Sequence, residues 1–200
     1  MNRTLMKLRL AINRLPLLII LISTLIAGAC GEENLPRVDV TEGLFPLNVG
    51  DYRDFGILSI MTVEDTVMKN DRSYFRVSTE NGPTEFFREA NDKVYRLGDR
   101  NGENEVLFYD FALEEGSSWT YKTTEDGFEW TVTLVSKTET FTKGDFVFEN
   151  CHVFYYDVPE IIDEETTHWL APGVGLVRVV GQVGVIDVVK ASVDGQELEF

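Results

Sequence analysis

Apolar and polar residues alternate through most of the chain from about residue 50 onward, and turn signals interrupt the alternation every 8 to 12 residues or so. The clearest run covers residues 128–137, where Phe128, Trp130, Val132 and Leu134 share one face. Because successive side chains of a strand point to opposite faces, this run predicts one buried and one solvated face. Helical periodicity is hard to find. The pattern predicts an all-β, antiparallel fold.

About eleven strands are predicted from this alternation. They cover residues 51–60, 73–79, 84–89, 93–97, 105–111, 118–123, 128–137, 145–157, 165–170, 174–180 and 183–192. Four short connections place a glycine where a hairpin needs a positive φ, namely Asn81-Gly82, Asn101-Gly102, Asp126-Gly127 and Lys143-Gly144. A sheet of this size must curl or split, so the alternatives are a barrel, a half-barrel or a two-sheet sandwich.

The first thirty residues differ from the rest of the chain. Four basic residues and no acid lie in residues 1–14, and residues 15–29 then carry no charge. Crossing the hydrocarbon core as a helix takes roughly 20 apolar residues, so this run is short for a permanent span. A basic start followed by a short apolar run is typical of an export signal peptide.

The end of the apolar run, Ile26-Ala27-Gly28-Ala29-Cys30, resembles the lipobox of bacterial lipoproteins. The resemblance implies cleavage between Ala29 and Cys30, a diacylglycerol thioether on Cys30, and an acyl chain such as palmitate on its amine. Two or three acyl chains anchor a protein stably to a membrane. The alternative is an ordinary secretory signal cut after Ala29. We predict a signal peptide over residues 1–29, a lipidated N-terminus and flexible tether over 30–43, and one all-β domain over 44–200.

The residues after Cys30 bear on localisation. Gly31 stands where an aspartate favours inner-membrane retention in enteric bacteria, and Glu32 and Glu33 resemble the acidic residues that help export Bacteroidetes lipoproteins to the cell surface. The resemblance implies a lipid-anchored protein of the cell envelope. It favours the outer membrane, with the domain in the periplasm or exposed at the surface.

Charge and cysteine content exclude several classes of partner and cross-link. Four of the 18 basic residues and none of the 34 acidic ones precede Cys30, so the remainder carries a formal net charge of −20. Such a field repels phosphate backbones, so we predict no nucleic-acid partner. Lipid on Cys30 leaves Cys151 without a partner for an internal disulfide, and we predict that Cys151 is buried and inert.

We predict no catalytic, metal-binding or cofactor-binding residue. His152 and His168 do not have the spacing of a zinc site, and no glycine-x-serine-x-glycine elbow is present. Paired carboxylates remain open, because only geometry would identify them. Two oxygen-rich stretches are interpreted as a hairpin turn and a solvated loop rather than cation sites. They are Asp99, Asn101, Gly102 and Asn104, and Asp157, Glu160, Asp163, Glu164 and Glu165.

The large aromatic residues allow two interpretations. Alternation buries most of them, which favours core packing, but a curled sheet can also enclose an apolar cavity whose walls they would form. The residues in question are Trp119, Trp130, Trp169, Tyr121, Tyr155 and Tyr156.

Four stretches, in order, resemble a loosely defined group of bacterial envelope and periplasmic proteins with domains of unknown function of the 3108-like type. They are residues 45–52 (FPLNVGDY), 115–121 (EGSSWTY), 142–146 (TKGDF, leading to Cys151) and 167–178 (THWLAPGVGLVR). The resemblance implies an all-β domain and no catalytic residue. We therefore expect a noncatalytic envelope protein that binds another envelope protein or a small apolar ligand. The alternatives are an envelope glycan hydrolase with paired carboxylates and a structural spacer or assembly component, and the oligomeric state stays open.

Overall fold

The computed structural model describes residues 43–56, 58–98, 104–123 and 127–200. All of them belong to one unit of the chain, Pro36–Phe200. They form the following strands: β1 (Tyr52–Asp54), β2 (Ile60–Lys69), β3 (Arg72–Thr79), β4 (Glu85–Glu89), β5 (Lys93–Leu97), β6 (Glu105–Asp110), β7 (Ser118–Lys122), β8 (Glu129–Lys143), β9 (Phe146–Asp157), β10 (Thr166–Ala171), β11 (Gly175–Gly181), β12 (Gly184–Asp187), β13 (Lys190–Val193) and β14 (Gln196–Glu199). The described residues contain no helix that is long and apolar enough to cross a membrane.

Two antiparallel sheets contain these strands. The first sheet has eight strands in the order β14-β13-β1-β2-β3-β4-β5-β6, and the second has six in the order β12-β11-β10-β9-β8-β7. The all-β, antiparallel prediction is confirmed. Of the architectures left open, the described residues fit a two-sheet sandwich whose sheets do not close on each other.

The strand predicted over residues 183–192 is wrong as one element, because the chain changes sheets in the middle of it. Val188 donates its N–H to the carbonyl of Val177 in the second sheet, at 2.8 Å. Val189, the next residue, donates to the carbonyl of Asp54 in the first sheet, also at 2.8 Å. Both halves of the run are extended and apolar, so the alternation continues across the corner and conceals it.

Strands β1, β2 and β14 were absent or misplaced in the prediction, and β8 continues to Lys143, six residues beyond the predicted end at residue 137. The run predicted over residues 51–60 contains only the three residues of β1 and the first residue of β2, and the rest of β2 was not predicted. Val63 pairs with Val77 and Asp65 pairs with Arg76, so Glu64 is an extra residue that shifts the alternation. The short, acidic β14 was also missed.

Several hairpins turn on left-handed residues. Positive φ is confirmed at Gly127 (74°) and Gly144 (55°), whereas Gly82 does not adopt it, so that prediction was wrong. The connections Asn70-Asp71 and Asn91-Asp92 use positive φ at both residues. This is the geometry of a two-residue type I′ hairpin, in which Asn and Asp replace glycine at small cost.

The core lies between the sheets, and a β-bulge shapes its centre. Val94 of β5 pairs with Tyr109 and Tyr95 pairs with Leu107, so Phe108 has no residue opposite it. As a result Phe108 and Tyr109, neighbours in the chain, are both buried, with ring centroids 4.6 Å apart. Strict alternation would have exposed one of them.

The chain enters the domain at one end, which we call the entry end. The carbonyl of Gly43 accepts a hydrogen bond from the N–H of Gly173 in the β10–β11 turn, at 2.7 Å, and Phe45 and Leu47 are buried. A Cβ at Gly43 would lie 4.0 Å from Oε1 of Glu89, the last residue of β4. Both sheets therefore have strand ends here.

Arg53 holds the entry segment to the domain. Its buried guanidinium donates from Nε to the carbonyl of Val174 at 2.8 Å and from Nη2 to the carbonyl of Pro46 at 2.9 Å. Burial lowers the pKa of Arg53 to about 10, so it stays charged at neutral pH. A Cβ on Gly175 would lie 3.3 Å from Nη2, and Gly175 also has a φ of 87°, so glycine is needed there.

Candidate functional site

The opposite end of the second sheet, which we call the far end, exposes apolar side chains. β9 and β11 end there, β10 and β12 begin there, and they are joined by the loop at residues 158–165 and the turn at residues 182–183. We define the far-end surface by Ile161, Ile162, Val183 and Val185, which are 37%, 86%, 82% and 60% exposed. The alternation of apolar and polar residues does not distinguish these four residues from others in the strands and turns. An Ile-Ile pair inside an acidic connection was the signal that could have found them.

The loop that carries the two isoleucines is held by its own hydrogen bonds. Glu164 Oε1 accepts from the N–H of Val158, a fully buried residue, at 2.9 Å, and the N–H of Ile161 bonds the Val158 carbonyl at 2.9 Å. A Cβ on Gly181 would lie 3.3 Å from Thr166 Oγ1, so the loop and the β11–β12 turn are neighbours. The isoleucines are thus presented to solvent by a loop with a defined shape.

The same loop is strongly acidic. Glu160, Asp163 and Glu165 are exposed, and no lysine or arginine occurs from residue 144 to residue 177. The predicted solvated acidic loop holds for Glu160, Asp163 and Glu165. Asp157 is instead the last residue of β9 and partly buried, and Glu164 turns inward to bond Val158. Within the described residues, no group of three histidine, cysteine or acidic side chains could hold a metal ion.

A polar aromatic cluster lies between the sheets. Tyr109 Oη and His168 Nδ1 are 2.8 Å apart, and Tyr156 Oη donates to the carbonyl of Phe108 at 2.9 Å. The His168 ring contacts the ring of Tyr156, with the centroids 4.5 Å apart and the planes tilted by 40°. The guanidinium carbon of Arg96 lies 4.4 Å from the centroid of the Phe108 ring. Nη1 of Arg96 donates to Glu85 Oε1 at 3.0 Å. The cluster joins β6 to β9 and β10.

Burial keeps the His168 imidazole and the Tyr109 and Tyr156 hydroxyls uncharged at neutral pH. It lowers the pKa of His168 to about 3, with the positive charge of Arg96 adding to the effect. It also raises the pKa of the Tyr109 and Tyr156 hydroxyls well above their ordinary value. A histidine with such a pKa is a poor proton acceptor at neutral pH, and tyrosines with such pKa values are poor donors. The cluster is suited to joining the sheets rather than to moving protons.

The other histidine lies apart from it. His152 on β9 approaches the carbonyl of Asn150 with Nδ1, at 3.3 Å, and contacts the ring of Phe111 edge-on. Burial lowers its pKa. The structure thus does not bring the two histidines together.

Two buried carboxylates accept hydrogen bonds from backbone N–H groups. Asp51 accepts hydrogen bonds from the N–H groups of Asn48 at 3.2 Å and Asp194 at 2.9 Å. Asp110 pairs with Lys93 and accepts from the N–H of Ala112 at 3.1 Å. These acids stabilise turns.

The large aromatic residues mostly follow the core-packing interpretation. The three tryptophans are partly buried against the core, Tyr121 and Tyr156 belong to it, and Tyr155 is partly exposed. Trp119 of β7 donates Nε1–H to the carbonyl of Leu107 in β6, at 2.9 Å. Trp119 thus joins the edge strands β7 and β6 of the two sheets, and Tyr156 adds a second bond to β6 from β9, an interior strand.

Cys151 is buried as predicted. Its thiol donates to the carbonyl of Phe148 at 3.4 Å, and burial raises its pKa to about 11. At neutral pH the reactive thiolate is therefore scarce.

Several predicted sites fall outside the described residues. They include the signal peptide, Ala29, Cys30 and the tether up to residue 42. Of the oxygen-rich turn, only Asn104 is described, and it donates Nδ2–H to the carbonyl of Lys122 at 3.1 Å.

No protein-family model and no curated protein matches the chain. Among solved structures, it is similar to a predicted exported protein with a YmcC-like fold from Bacteroides fragilis, with 15% identity over 78% of this chain and 98% of that one and a TM-score of 0.39. It is also similar to a predicted lipoprotein from Parabacteroides distasonis, with 14% identity over 74% of this chain and 95% of that one and a TM-score of 0.33. At these TM-scores we draw no argument from either structure. The resemblance to the 3108-like type finds no family match.

Proposed function

We propose that this chain is a lipid-anchored protein of the bacterial cell envelope whose β-domain binds another envelope protein through the far-end surface. The observation that carries the proposal is the exposure of Ile162 and Val183 on neighbouring connections at the end opposite chain entry. Apolar side chains grouped on an exposed surface mark protein contact sites, because their burial against a partner is favourable.

The anchor rests on the lipobox resemblance at Cys30. We propose a signal peptide over residues 1–29, a tether over residues 30–43 and the β-domain over residues 44–200, attached to the outer membrane and lying in the periplasm or at the surface. The chain enters the domain at Gly43, at the entry end. Lipid attachment upstream of Gly43 therefore leaves the far-end surface at the end of the domain remote from the tether.

A binding role agrees better with the buried polar groups than a hydrolytic one does. The hydroxyls and imidazole between the sheets are uncharged at neutral pH, and the buried Asp51 and Asp110 bond backbone groups. A glycan hydrolase requires two carboxylates facing a substrate. No observation on the described residues favours that alternative, so we do not propose it.

Site-specific photo-crosslinking in cells tests the proposal on the full lipidated chain. A photoreactive residue at Ile162 should crosslink one identified envelope protein. The same residue at Met68 should not, although Met68 is 69% exposed, because β2 ends at the entry end. Substitutions Ile162→Asp and Val183→Asp should abolish recovery of that partner, and Met68→Asp should leave it unchanged.

Two results would overturn the proposal. One is equal crosslinking from Met68 and Ile162, and the other is a partner recovered at wild-type yield with both aspartate variants. A spacer without a ligand would give no stoichiometric crosslink from either position.

A further inference from the structure

We propose that the partner supplies an extended segment that pairs as an additional strand with the free edge of β12, and that this segment carries lysine or arginine between apolar residues. The inference rests on the proposed function and names the chemistry of its partner. Strand addition to an open sheet edge is a common mode of peptide recognition.

The register of β12 shows which backbone groups face that edge. Val188 donates to Val177, and Arg178–Asp187, Val179–Ile186 and Val180–Val185 are paired. In an antiparallel ladder, alternate residues bond the same neighbour, so Ile186 faces β11. The N–H and C=O groups of Val185 and Asp187 then point to the other side, where no described strand lies. They form a template for a further strand.

The other three edges are protected in ways that β12 is not. β14 carries Glu197 and Glu199. β7 ends on Lys122, which is exposed. The carbonyls of Leu107 and Phe108 in β6 are bonded by Trp119 and Tyr156 from the second sheet. Charged side chains and covering groups prevent unwanted strand pairing at an edge.

In contrast, the sequence of β12 is Gly-Val-Ile-Asp, with neither lysine nor proline. Its one charge, Asp187, is already paired with Arg178 and Lys143. Val183 and Val185 are exposed beside the edge, and Ile161 and Ile162 lie on the neighbouring connection. An added strand would therefore bury apolar side chains as well as pair with the backbone.

The negative charge of the loop beside β12 favours one kind of partner at this edge. The neighbouring loop exposes Glu160, Asp163 and Glu165, and no lysine or arginine occurs from residue 144 to residue 177. A cationic segment is complementary to this surface, whereas a second copy of this acidic chain is repelled by it. We therefore assign the edge to a cationic partner segment rather than to self-association.

Amide hydrogen exchange on the full chain in neutral detergent tests the pairing, with a nine-residue peptide of alternating lysine and valine as the probe. The peptide should slow exchange at the amides of Val185 and Asp187 by about tenfold or more. Exchange at Ile186, already bonded within the sheet, should change little. A glutamate-valine peptide tests the charge requirement and should not bind. A lysine-valine peptide that is N-methylated at every backbone amide has the charge but lacks ladder donors, and it should not protect the edge.

Two variants separate the edge from the surface around it. Val185→Pro removes an N–H that points away from β11, so the sheet should persist while peptide affinity falls about tenfold or more. Val185→Thr keeps the N–H and a β-branched side chain, and should bind like the wild type. Binding of the lysine-valine peptide without protection of Val185 and Asp187, or equal binding of all three peptides, overturns the inference. Either result could be found while Ile162→Asp still abolishes recovery of the crosslinked partner. In that case the strand-pairing inference is wrong and the proposed function stands.

Discussion

The hydroxyl oxygen of Tyr109 in β6 lies 2.8 Å from Nδ1 of His168 in β10, so a side-chain hydrogen bond joins the two sheets inside the core. Both groups have lost most of their contact with water, and each satisfies the other. Such a pair is worth little net free energy while intact, but it is costly to break on one side only.

Tyr109→Phe should therefore lower the free energy of unfolding by about 1–3 kcal/mol, because it leaves His168 Nδ1 buried without its partner. Urea denaturation measures this. Tyr155→Phe makes the same chemical change on a partly exposed tyrosine and should change stability by less than about 0.5 kcal/mol. Equal effects of the two substitutions would contradict the assigned role of the bond.

The contribution of His168 to stability should rise with pH between about 3 and 6.5. His168 has a pKa of about 3 when folded and an ordinary value of 6.5. In this window the unfolded chain binds a proton that the folded chain does not, so acid favours unfolding. The slope from His168 is at most about 1.4 kcal/mol per pH unit. The slope from His168 vanishes above pH 6.5, the pKa of this residue in the unfolded chain.

Urea denaturation at several pH values measures this slope, and His168→Gln should reduce it. His152 also has a lowered pKa, so His152→Gln reports its separate share. An unchanged slope in the His168 variant would show that this residue titrates normally in the folded protein.

Arg53→Met should lower the free energy of unfolding by about 1–3 kcal/mol, because it removes the donors to the Pro46 and Val174 carbonyls. It should also speed exchange of the Gly173 amide, which bonds Gly43. Arg76→Met removes the partly exposed ion pairs to Glu64 and Asp65 and should cost less than about 1 kcal/mol. Unchanged Gly173 exchange in Arg53→Met would show that the entry segment is held in other ways.

Cys30→Ser should release the protein from membranes, and mass spectrometry of the wild type should find a diacylglyceryl group on an N-terminal Cys30. Cys151→Ser is the matched control, since this buried thiol should leave membrane attachment unchanged. A Cys30→Ser protein that remained in the membrane fraction as fully as the wild type would refute the anchor.

Local pattern was sufficient for much of the fold. Alternation located most strands to within one or two residues, β5 among them, and predicted the burial of Cys151. It succeeded because an extended chain repeats every two residues, and burying one face requires an apolar residue at every second position. The lipobox resemblance at Cys30 is local in the same sense.

Where the two-residue period breaks, long-range strand pairing sets the position of each bulge and corner. The bulges at Glu64 and Phe108 and the passage from the second sheet to the first at Val188–Val189 depend on which distant strands pair. The far-end surface arises in the same way, because pairing of β10 with β11 places the loop that carries Ile162 beside the turn that carries Val183. Local pattern was enough for most strands and most of their buried faces, although Phe128 is 39% exposed, and for the expectation of an anchor. Long-range pairing decided which faces meet and which edge stays open, because its free energy comes from contacts between residues far apart in the chain.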